Sequence, residues 1–327
     1  MRDRVVLASA VAMMLLAGGG SGMAFDLQGH RGARGLAPEN TREGFAVALA
    51  LGVTTLEMDV GMTADGVAVV SHDPALNPDI TRGPDGAWLD APGPALRSLT
   101  LAALAAYEVG RIRPGTRYAA LFPDQRPIDG ARIPTLVAVL AEAAALSPTV
   151  RFNIETKVFP DRPGLTAAPE ELARAVADAL AEAGLTGRAT IQSFDWRALN
   201  WLRDNRAEVA RSYLTVQSGG EDTVASRGGR PSPWLGGLDA SDHGGSAPRL
   251  VAAAGGRIWS PHHRDLTEAG LAEARALGLT VIPWTVNDVA TMEALIDRGV
   301  DGLITDRPDI LRTVMARRGL PLPAPAP

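Results

Sequence analysis

The sequence predicts an α/β protein, a closed (β/α)8 barrel of the TIM type with one large insertion. From Phe25 onwards, short runs of apolar and β-branched residues alternate with patterns typical of amphipathic helices. Such an alternation favours a parallel sheet. The chain has 327 residues, which is enough for a barrel of this kind; such barrels need about 250 residues. An open, doubly wound sheet is the alternative architecture.

Nine segments are candidate strands. They lie at Asp26–His30, Thr54–Val60, Val67–His72, Val150–Glu155, Ala189–Phe194, Arg211–Val216, Arg257–Ser260, Thr280–Thr285 and Gly302–Thr305. Only the turn-forming stretch 61–66 separates the second segment from the third, whereas parallel neighbours need a crossover of at least about 10 residues. We therefore expect the third segment to return antiparallel as a hairpin, which leaves the eight parallel strands of a barrel.

Helical patterns lie between most of the strands, the clearest of them at Glu171–Glu182, Thr267–Leu277 and Val289–Asp297. Two stretches do not follow the alternation. Asp73–Arg132 is rich in Pro, Gly and Arg with one helical piece, Leu99–Val109, and is expected to be an insertion after the hairpin, at about residues 73–132. Ser218–Ser246 is a Gly-rich loop containing Trp234, and loops of this length in compact domains are usually functional lids or disordered.

The first residues have the pattern of a secretory signal peptide. Arg2 and Arg4 precede an uninterrupted apolar run over residues 5–17, and small residues near Ala24 suit a cleavage site. We predict a signal peptide over residues 1–24, and hence a secreted or periplasmic protein with no stable membrane span after processing. An uncleaved N-terminal anchor is the alternative.

The mature chain is predicted to be one catalytic domain, residues 25–318, followed by a Pro-rich tail at 319–327. The last residues, Leu320–Pro327, read LPLPAPAP, which favours an extended and solvated segment over a packed helix or strand.

Composition excludes several classes of function. The formal net charge of -5 provides no basic surface for nucleic acid and no polybasic patch for a membrane, so nucleic acid is not expected as a partner. The sequence contains no cysteine, which excludes disulfides, lipid attachment at a cysteine and thiolate metal ligands. Any metal must therefore bind to oxygen or imidazole.

Acidic residues on the second candidate strand indicate a site inside the barrel. Glu57 and Asp59 are two residues apart, so both side chains leave the same face of the strand. Burying two carboxylates costs several kcal/mol unless a cation or hydrogen-bond donors compensate. With a turn centred near residues 64 and 65, the hairpin places Glu57 opposite His72 and Asp59 opposite Val70. The competing interpretation is a pair of solvated carboxylates at the strand end.

Further polar residues end neighbouring strands, where barrel enzymes have their active sites. His30 ends the first strand, and Arg31 offers the planar donor fork that suits a phosphate. Glu155 and Lys157 end another strand on one face. A third carboxylate makes an oxygen site that suits Mg²⁺ or Ca²⁺. A core role for His30 and a surface salt bridge between Glu155 and Lys157 are the structural alternatives.

Trp284 ends the strand Thr280–Thr285, also at this edge of the barrel. Its indole suits an aromatic wall against the apolar face of a small ligand, and filling the core is the equally good alternative.

These residues belong to a set of motifs that resembles the glycerophosphodiester phosphodiesterase family over His30 to about Ile310. The motifs, in order, are His30–Ala33 with Pro38–Thr41, Leu56–Val60, Thr63–Gly66 followed by Ser71–Asp73, Asn153–Lys157, Trp284–Asn287 and Gly302–Pro308. Any one of them alone is a weak signal, but the complete set in this order is specific. Three features depart from the family pattern and bear on which substrate head group is preferred. They are Gly61, the long Ser218–Ser246 loop and the histidines at 262 and 263.

The resemblance implies a TIM barrel that hydrolyses glycerophosphodiesters to glycerol 3-phosphate and an alcohol. By the same resemblance, Glu57, Asp59 and Glu155 bind the divalent cation. His30 and His72 act as general acid and base, in an order that stays open, while Arg31 and Lys157 hold the phosphate. A related phosphodiesterase acting on lysophospholipids or sphingolipids is the first alternative, and a non-catalytic phosphate-binding barrel is the second.

Overall fold

The computed structural model describes residues 24–327, so the predicted signal peptide lies outside the described residues apart from Ala24. The strands are β1 Asp26–Gly29, β2 Thr55–Met62, β3 Ala68–Val70, β4 Arg151–Thr156, β5 Ala189–Ser193, β6 Ala210–Thr215, β7 Ile258–Pro261, β8 Thr280–Val281 and β9 Gly302–Thr305. Each lies within a residue or two of a predicted strand, except that β8 ends four residues before its prediction.

The parallel strands follow the order β8-β7-β6-β5-β4-β2-β1-β9, and β3 pairs antiparallel with β2 alone. Backbone hydrogen bonds close the remaining gap, because Ile304 donates to Pro283 O at 3.0 Å and Val286 donates to Ile304 O at 3.0 Å. The predicted barrel is therefore confirmed, and an open sheet is wrong. Pro283 has no N–H for a regular ladder, which accounts for the early end of β8.

Helices surround the barrel and connect successive strands. They are α1 Arg42–Leu51, α2 Leu101–Leu104, α3 Arg117–Leu121, α4 Leu136–Leu146, α5 Pro169–Glu182, α6 Trp196–Asn205, α7 Ala247–Ala253, α8 Glu268–Ala276, α9 Val289–Asp297 and α10 Pro308–Arg317. Along β2, Leu56, Met58 and Val60 face this outer layer and are completely buried. Within residues 24–327, no helix has the length and apolar character that crossing a membrane requires.

The hairpin forms as predicted, but the predicted register is wrong by one residue. Val60 pairs with Val70, so Asp59 does not lie opposite Val70, and the register does not place Glu57 opposite His72. The cause is a three-residue loop, residues 64–66, in which Gly66 has φ 78°. That left-handed conformation is typical of three-residue hairpin loops. His72 lies beyond the end of β3, and its approach to the site does not depend on strand pairing.

The predicted helix of the inserted segment is shorter than expected, and the segment contains a second helix, α3, that was not predicted. Only α2 forms within the expected helix Leu99–Val109, beginning after Thr100, whose side chain accepts a hydrogen bond from the Ala103 N–H. Further along, Glu108 and Arg82 exchange backbone hydrogen bonds of 3.0 and 2.8 Å, which holds this part of the chain extended. The insertion has its own small apolar core of Val69, Leu76, Leu96 and Leu104.

The Pro-rich C-terminal segment, Leu320–Pro327, has no helix or strand, and five of its eight residues are exposed, although it also contacts the barrel. The Ala326 N–H donates to Leu49 O at 2.9 Å, at the end of α1. Arg312 Nη1 donates to Pro323 O at 2.6 Å. Leu320 and Ala326 pack against the main core. The tail therefore lies along the outside of the barrel.

Candidate active site

A polar cavity of about 170 Å³ opens at the carboxyl ends of the strands. The structure brings all of the predicted site residues except Asp59 to its wall: His30, Arg31, Glu57, His72, Glu155, Lys157 and Trp284. Asp59 lies behind the wall and is completely buried. The residues converge because β1, β2 and β4 are neighbours whose carboxyl ends meet at one edge.

Three buried carboxylates form the centre of the site. Glu57, Asp59 and Glu155 each offer an oxygen, and these oxygens all lie within 4.8 Å of one another. The pairing of β2 with β4 sets Asp59 beside Glu155. Burial and the neighbouring Asp59 raise the pKa of Glu57 well above its usual range. Burial raises the pKa of Glu155 to about 7, even though Lys157 opposes this shift.

Asp59 behaves differently from its two neighbours. Its burial favours the neutral acid, but Arg31, His72 and Lys157 outweigh this and lower its pKa below the usual range. Among residues 24–327, its Oδ1 is buried and accepts no hydrogen bond. An oxygen cluster with one such atom has the ligand type that Ca²⁺ or Mg²⁺ takes. The cluster therefore fits a hard divalent cation.

Two basic side chains compensate the acidic cluster. Lys157 Nζ lies 2.7 Å from Glu155 Oε1 and 3.7 Å from Asp59 Oδ1. Arg31 Nη1 lies 2.7 Å from Glu39 Oε1, and its Nε lies 3.2 Å from Asp59 Oδ2. The carboxylates raise the pKa of both basic groups against the effect of burial. The side chains of Arg31 and Lys157 thus line the cavity while remaining paired to acidic side chains.

The backbone after β1 explains the sequence His-Arg-Gly. Arg31 has φ 51°, and its N–H donates to Glu57 Oε2 at 2.8 Å. Gly32 has φ 87°, and a Cβ at this position would lie 2.9 Å from the backbone oxygen of Gly44. Only glycine adopts this conformation without strain at such a close approach. The turn therefore delivers both a backbone donor and a guanidinium to the acidic cluster.

His30 is held by a buried carboxylate from the last strand. Its Nδ1 lies 2.6 Å from Asp306 Oδ1, and its Nε2 lies 4.0 Å from Glu57 Oε2. Arg34 and Asn287 donate to the same Asp306 carboxylate at 2.8 and 2.7 Å. Burial and the nearby Arg34 lower the pKa of His30, although Asp306 opposes the shift. A carboxylate on Nδ1 fixes the ring and directs Nε2 towards the cavity.

His72 has a similar arrangement with its sequence neighbour. Its Nδ1 lies 2.8 Å from Asp73 Oδ1, and Asp73 in turn accepts from Asn77 at 2.7 Å. Burial, Arg31 and Lys157 lower the pKa of His72 to about 4. The imidazole is therefore neutral at neutral pH and can accept a proton at Nε2.

An aromatic edge lies at the cavity, in which Phe194 and Trp284 line the wall and Trp234 and Phe159 extend the row of rings beyond it. The rings of Trp284 and Phe194 meet edge to face with centroids 5.3 Å apart, and Phe194 and Trp234 do so at 6.4 Å. Trp284 Nε1 donates to Ser260 O at 2.9 Å, which fixes the indole. Through Trp234, the predicted long loop packs against Phe194, which is a residue of the cavity wall.

Sequence reasoning gave no role to several residues that shape the site. Asp306 and Asn287 stood inside the quoted motifs, and Asp73 directly follows His72, so a signal for each was present. Asn40, which stood inside the motif Pro38–Thr41, donates to Asp59 Oδ2 at 2.9 Å. Gln192 donates to Glu57 Oε1 at 2.9 Å, and no pattern around it pointed to the site.

A comparison with protein families assigns the chain. The model described as "Glycerophosphoryl diester phosphodiesterase family" matches residues 30–310. The chain belongs to this family. The resemblance drawn from the motifs is thereby confirmed, as is the expectation of an enzyme, a phosphoric diester hydrolase.

Individual relatives agree with the family assignment. A glycerophosphodiester phosphodiesterase from Caldanaerobacter subterraneus subsp. tengcongensis is 27% identical over 290 residues, covering 89% of this chain and 97% of the relative. The crystal structure of a protein from Silicibacter pomeroyi DSS-3, named "Putative glycerophosphoryl diester phosphodiesterase", is 35% identical with a TM-score of 0.79. The match covers 91% of this chain and 95% of that one.

A more distant neighbour carries a ligand. It is the Oleispira antarctica phosphodiesterase OLEI02445 in complex with the product sn-glycerol-3-phosphate, 21% identical with a TM-score of 0.63. The match covers 90% of this chain and 97% of the neighbour. At this identity the likeness shows the shared barrel fold.

Proposed function

We propose that this family member hydrolyses glycerophosphodiesters to glycerol 3-phosphate and an alcohol. Glu57, Asp59 and Glu155 hold a divalent cation, Ca²⁺ or Mg²⁺, and His30 and His72 are the general acid and base. One arrangement supports the proposal above all: the buried carboxylate cluster shares a cavity with two imidazoles, each of which is fixed by an aspartate at Nδ1. The product bound to the Oleispira antarctica neighbour supports the same reaction.

The chemistry of the reaction requires these groups. A phosphodiester is an anion, so hydrolysis needs charge neutralisation at its oxygens and a proton for the departing alkoxide. When bound, the cation would polarise the phosphoryl oxygens as a Lewis acid. Arg31 and Lys157 orient the phosphate from the cavity wall, and the two Nε2 atoms carry the protons. A protein that only binds phosphate gains nothing from two oriented imidazoles.

The aromatic edge faces the alcohol side of the substrate. Trp284 lines the cavity beside Phe194, so its indole can cover the apolar face of a glycerol or head group. We propose Trp284 as a substrate-binding residue. The same edge is the observation that favours the alternative substrate, a lysophospholipid or sphingolipid.

A substrate panel tests the reaction and distinguishes these alternatives. We expect purified protein with Ca²⁺ or Mg²⁺ to release glycerol 3-phosphate from water-soluble glycerophosphodiesters, with a higher kcat/KM than on a lysophospholipid, because the cavity is small and polar. Both products are quantified, since the alcohol must appear in equal amount. A higher kcat/KM on the lipid would favour the lipid phosphodiesterase. Absence of both products from every substrate would contradict the proposed hydrolysis.

We also propose that the protein is exported, with residues 1–24 removed. Phe25 packs against the core and β1 begins at the next residue, so the described barrel begins directly after the predicted cleavage site. Mass spectrometry of the protein from its native host should therefore find a mature N-terminus near Phe25 in the secreted or periplasmic fraction. Finding intact Met1 on a cytosolic species would contradict export.

A further inference from the structure

A chain of buried side-chain amides runs through the barrel interior below the acidic cluster. Gln192 Nε2 donates to Glu57 Oε1 at 2.9 Å, and its own Oε1 accepts from Asn153 Nδ2 at 2.9 Å. Asn153 Nδ2 also donates to Gln28 Oε1 at 2.8 Å, and Gln28 Nε2 donates to Asp26 Oδ2 at 2.9 Å. All five residues are buried. The chain therefore connects the cluster with the start of β1, at the opposite end of the barrel.

The far end of the chain is anchored. Asp26 accepts a hydrogen bond from Thr55 Oγ1 at 2.7 Å and pairs with Arg151 Nη2 at 2.9 Å. A carboxylate can only accept here, so Gln28 must turn its NH₂ group towards Asp26 and its oxygen towards Asn153. Asn153 must in turn direct its NH₂ group towards Gln28 Oε1, and the same NH₂ group donates to Gln192 Oε1. The last amide is thereby oriented with a donor, and not an acceptor, facing Glu57.

The two oxygens of Glu57 are held from different sides. Oε1 accepts from Gln192, and Oε2 accepts from the Arg31 N–H at 2.8 Å. A carboxylate oxygen has two acceptor positions, so each oxygen keeps one of them for a further partner. Two fixed donors therefore set the plane of the carboxylate that borders the cavity.

We infer that the amide chain of Gln28, Asn153 and Gln192, which we call the amide relay, positions Glu57 for cation binding. The inference rests on the proposed function, in which Glu57 is a cation ligand. Groups that orient metal ligands through hydrogen bonds tune the affinity of the site without touching the ion. The relay contains positioning residues of this kind, and they extend to the far end of the barrel.

The polar interior of this barrel indicates that the amide relay does more than fill space. Bulky branched side chains usually fill such interiors. Here alternate positions of β1, β2, β4 and β5 carry polar side chains instead, and most of their buried polar atoms are hydrogen-bonded, whereas Asn153 Oδ1 has no hydrogen-bond partner among residues 24–327. If these amides only satisfied one another, replacing them with apolar residues of similar size would change stability but leave cation affinity unaltered. Cation affinity is therefore the readout that separates the two roles.

The experiment is calorimetric titration of the full mature protein with Ca²⁺, and separately with Mg²⁺, in the absence of substrate. Gln192→Met keeps the length and the neutral charge of the side chain but removes the donor to Glu57. We expect it to lower cation affinity about 10- to 100-fold. Gln28→Met is two links further away, and we expect a smaller loss in the same direction.

Ser193→Ala is the matched control. Ser193 is buried directly beside Gln192 in β5, but its hydroxyl bonds Thr156, outside the relay. It should keep the wild-type affinity even where its melting temperature falls. Melting curves of all variants establish that each protein titrated is folded.

The outcomes separate this inference from the proposed function. Wild-type affinity in folded Gln192→Met overturns the relay. If Gln192→Met does not fold, Gln28→Met decides in the same way. If the wild-type chain binds neither cation, the proposed site and the relay fall together. If Glu57→Gln loses binding while both relay variants retain it, only the relay falls.

Discussion

Chelation of divalent cations is expected to abolish turnover of a glycerophosphodiester, and added Ca²⁺ or Mg²⁺ to restore it. The reason is that three buried carboxylate oxygens within 4.8 Å of one another form the proposed cation site, and the bound cation would neutralise charge on the phosphate. Arg31 and Lys157 do not replace the cation, because both are already paired to acids. The measurement is the steady-state rate in excess chelator and after cation is added back. Full activity in excess chelator would contradict the metal site.

Single carboxylate substitutions locate the cation on the cluster. Glu57→Gln, Asp59→Asn and Glu155→Gln should each lower cation affinity by at least about tenfold, since even indirect ligand contacts are worth that much. Titration calorimetry measures the loss, and the cation-induced rise in melting temperature should shrink in parallel. Glu142→Gln is the control, because Glu142 forms only an exposed pair with Arg42. An unchanged affinity in all three cluster variants would show that the cation binds elsewhere.

The barrel could be predicted because its signals are local. The segments that form β1, β4, β5 and β9 are each bounded by turn residues, and the 3.6-residue pattern of α9 coincides with the observed helix. The short link after β2 was enough to identify the hairpin. Each of these patterns is complete within about twenty residues of sequence, as such periodicities are.

The register and the inserted helix show where local signals end. The expected hairpin turn was two residues long, but Gly66 accepts a left-handed conformation and makes the loop three residues long. A shift of one residue exchanges the two faces of a strand. Ser71 therefore lies opposite Asp59, where Val70 was expected. The helical pattern over Leu99–Val109 lost its second half because Glu108 pairs with Arg82, far back in the chain. Tertiary pairing overrode propensity there.

The candidate ligands of the cation could be predicted from the sequence, but the contacts that orient the site residues could not. Glu57 and Asp59 share a strand face, which periodicity reveals directly. Asp306 reaches His30 across 276 positions of sequence, and Gln192 reaches Glu57 across 135. Contacts at such distances leave no periodic trace in one sequence. These long-range contacts are therefore not predictable from one sequence, even where the partner stands inside a motif, as Asp306 does.

Removal of either imidazole is expected to slow the reaction strongly. His30→Ala and His72→Ala should each reduce kcat by about 10²- to 10⁴-fold, because in the proposed mechanism each imidazole carries a proton to or from a reacting oxygen. Cation affinity and melting temperature should stay close to wild type, since neither histidine belongs to the carboxylate cluster. His243→Ala is the control, because His243 lies in the loop after β6 and does not line the cavity.

A change of leaving group then assigns the two roles. The nitrophenolate of a nitrophenyl diester leaves without protonation. Such a substrate should therefore partly rescue the variant that lacks the general acid and leave the other variant slow. Both histidines have an aspartate at Nδ1 and a lowered pKa, so these features do not distinguish the acid from the base. In the proposed hydrolysis, the base takes the proton of the attacking hydroxyl and the acid gives a proton to the departing alkoxide. If either alanine variant keeps near-normal turnover on a glycerophosphodiester, that histidine is structural and the two-histidine mechanism is wrong.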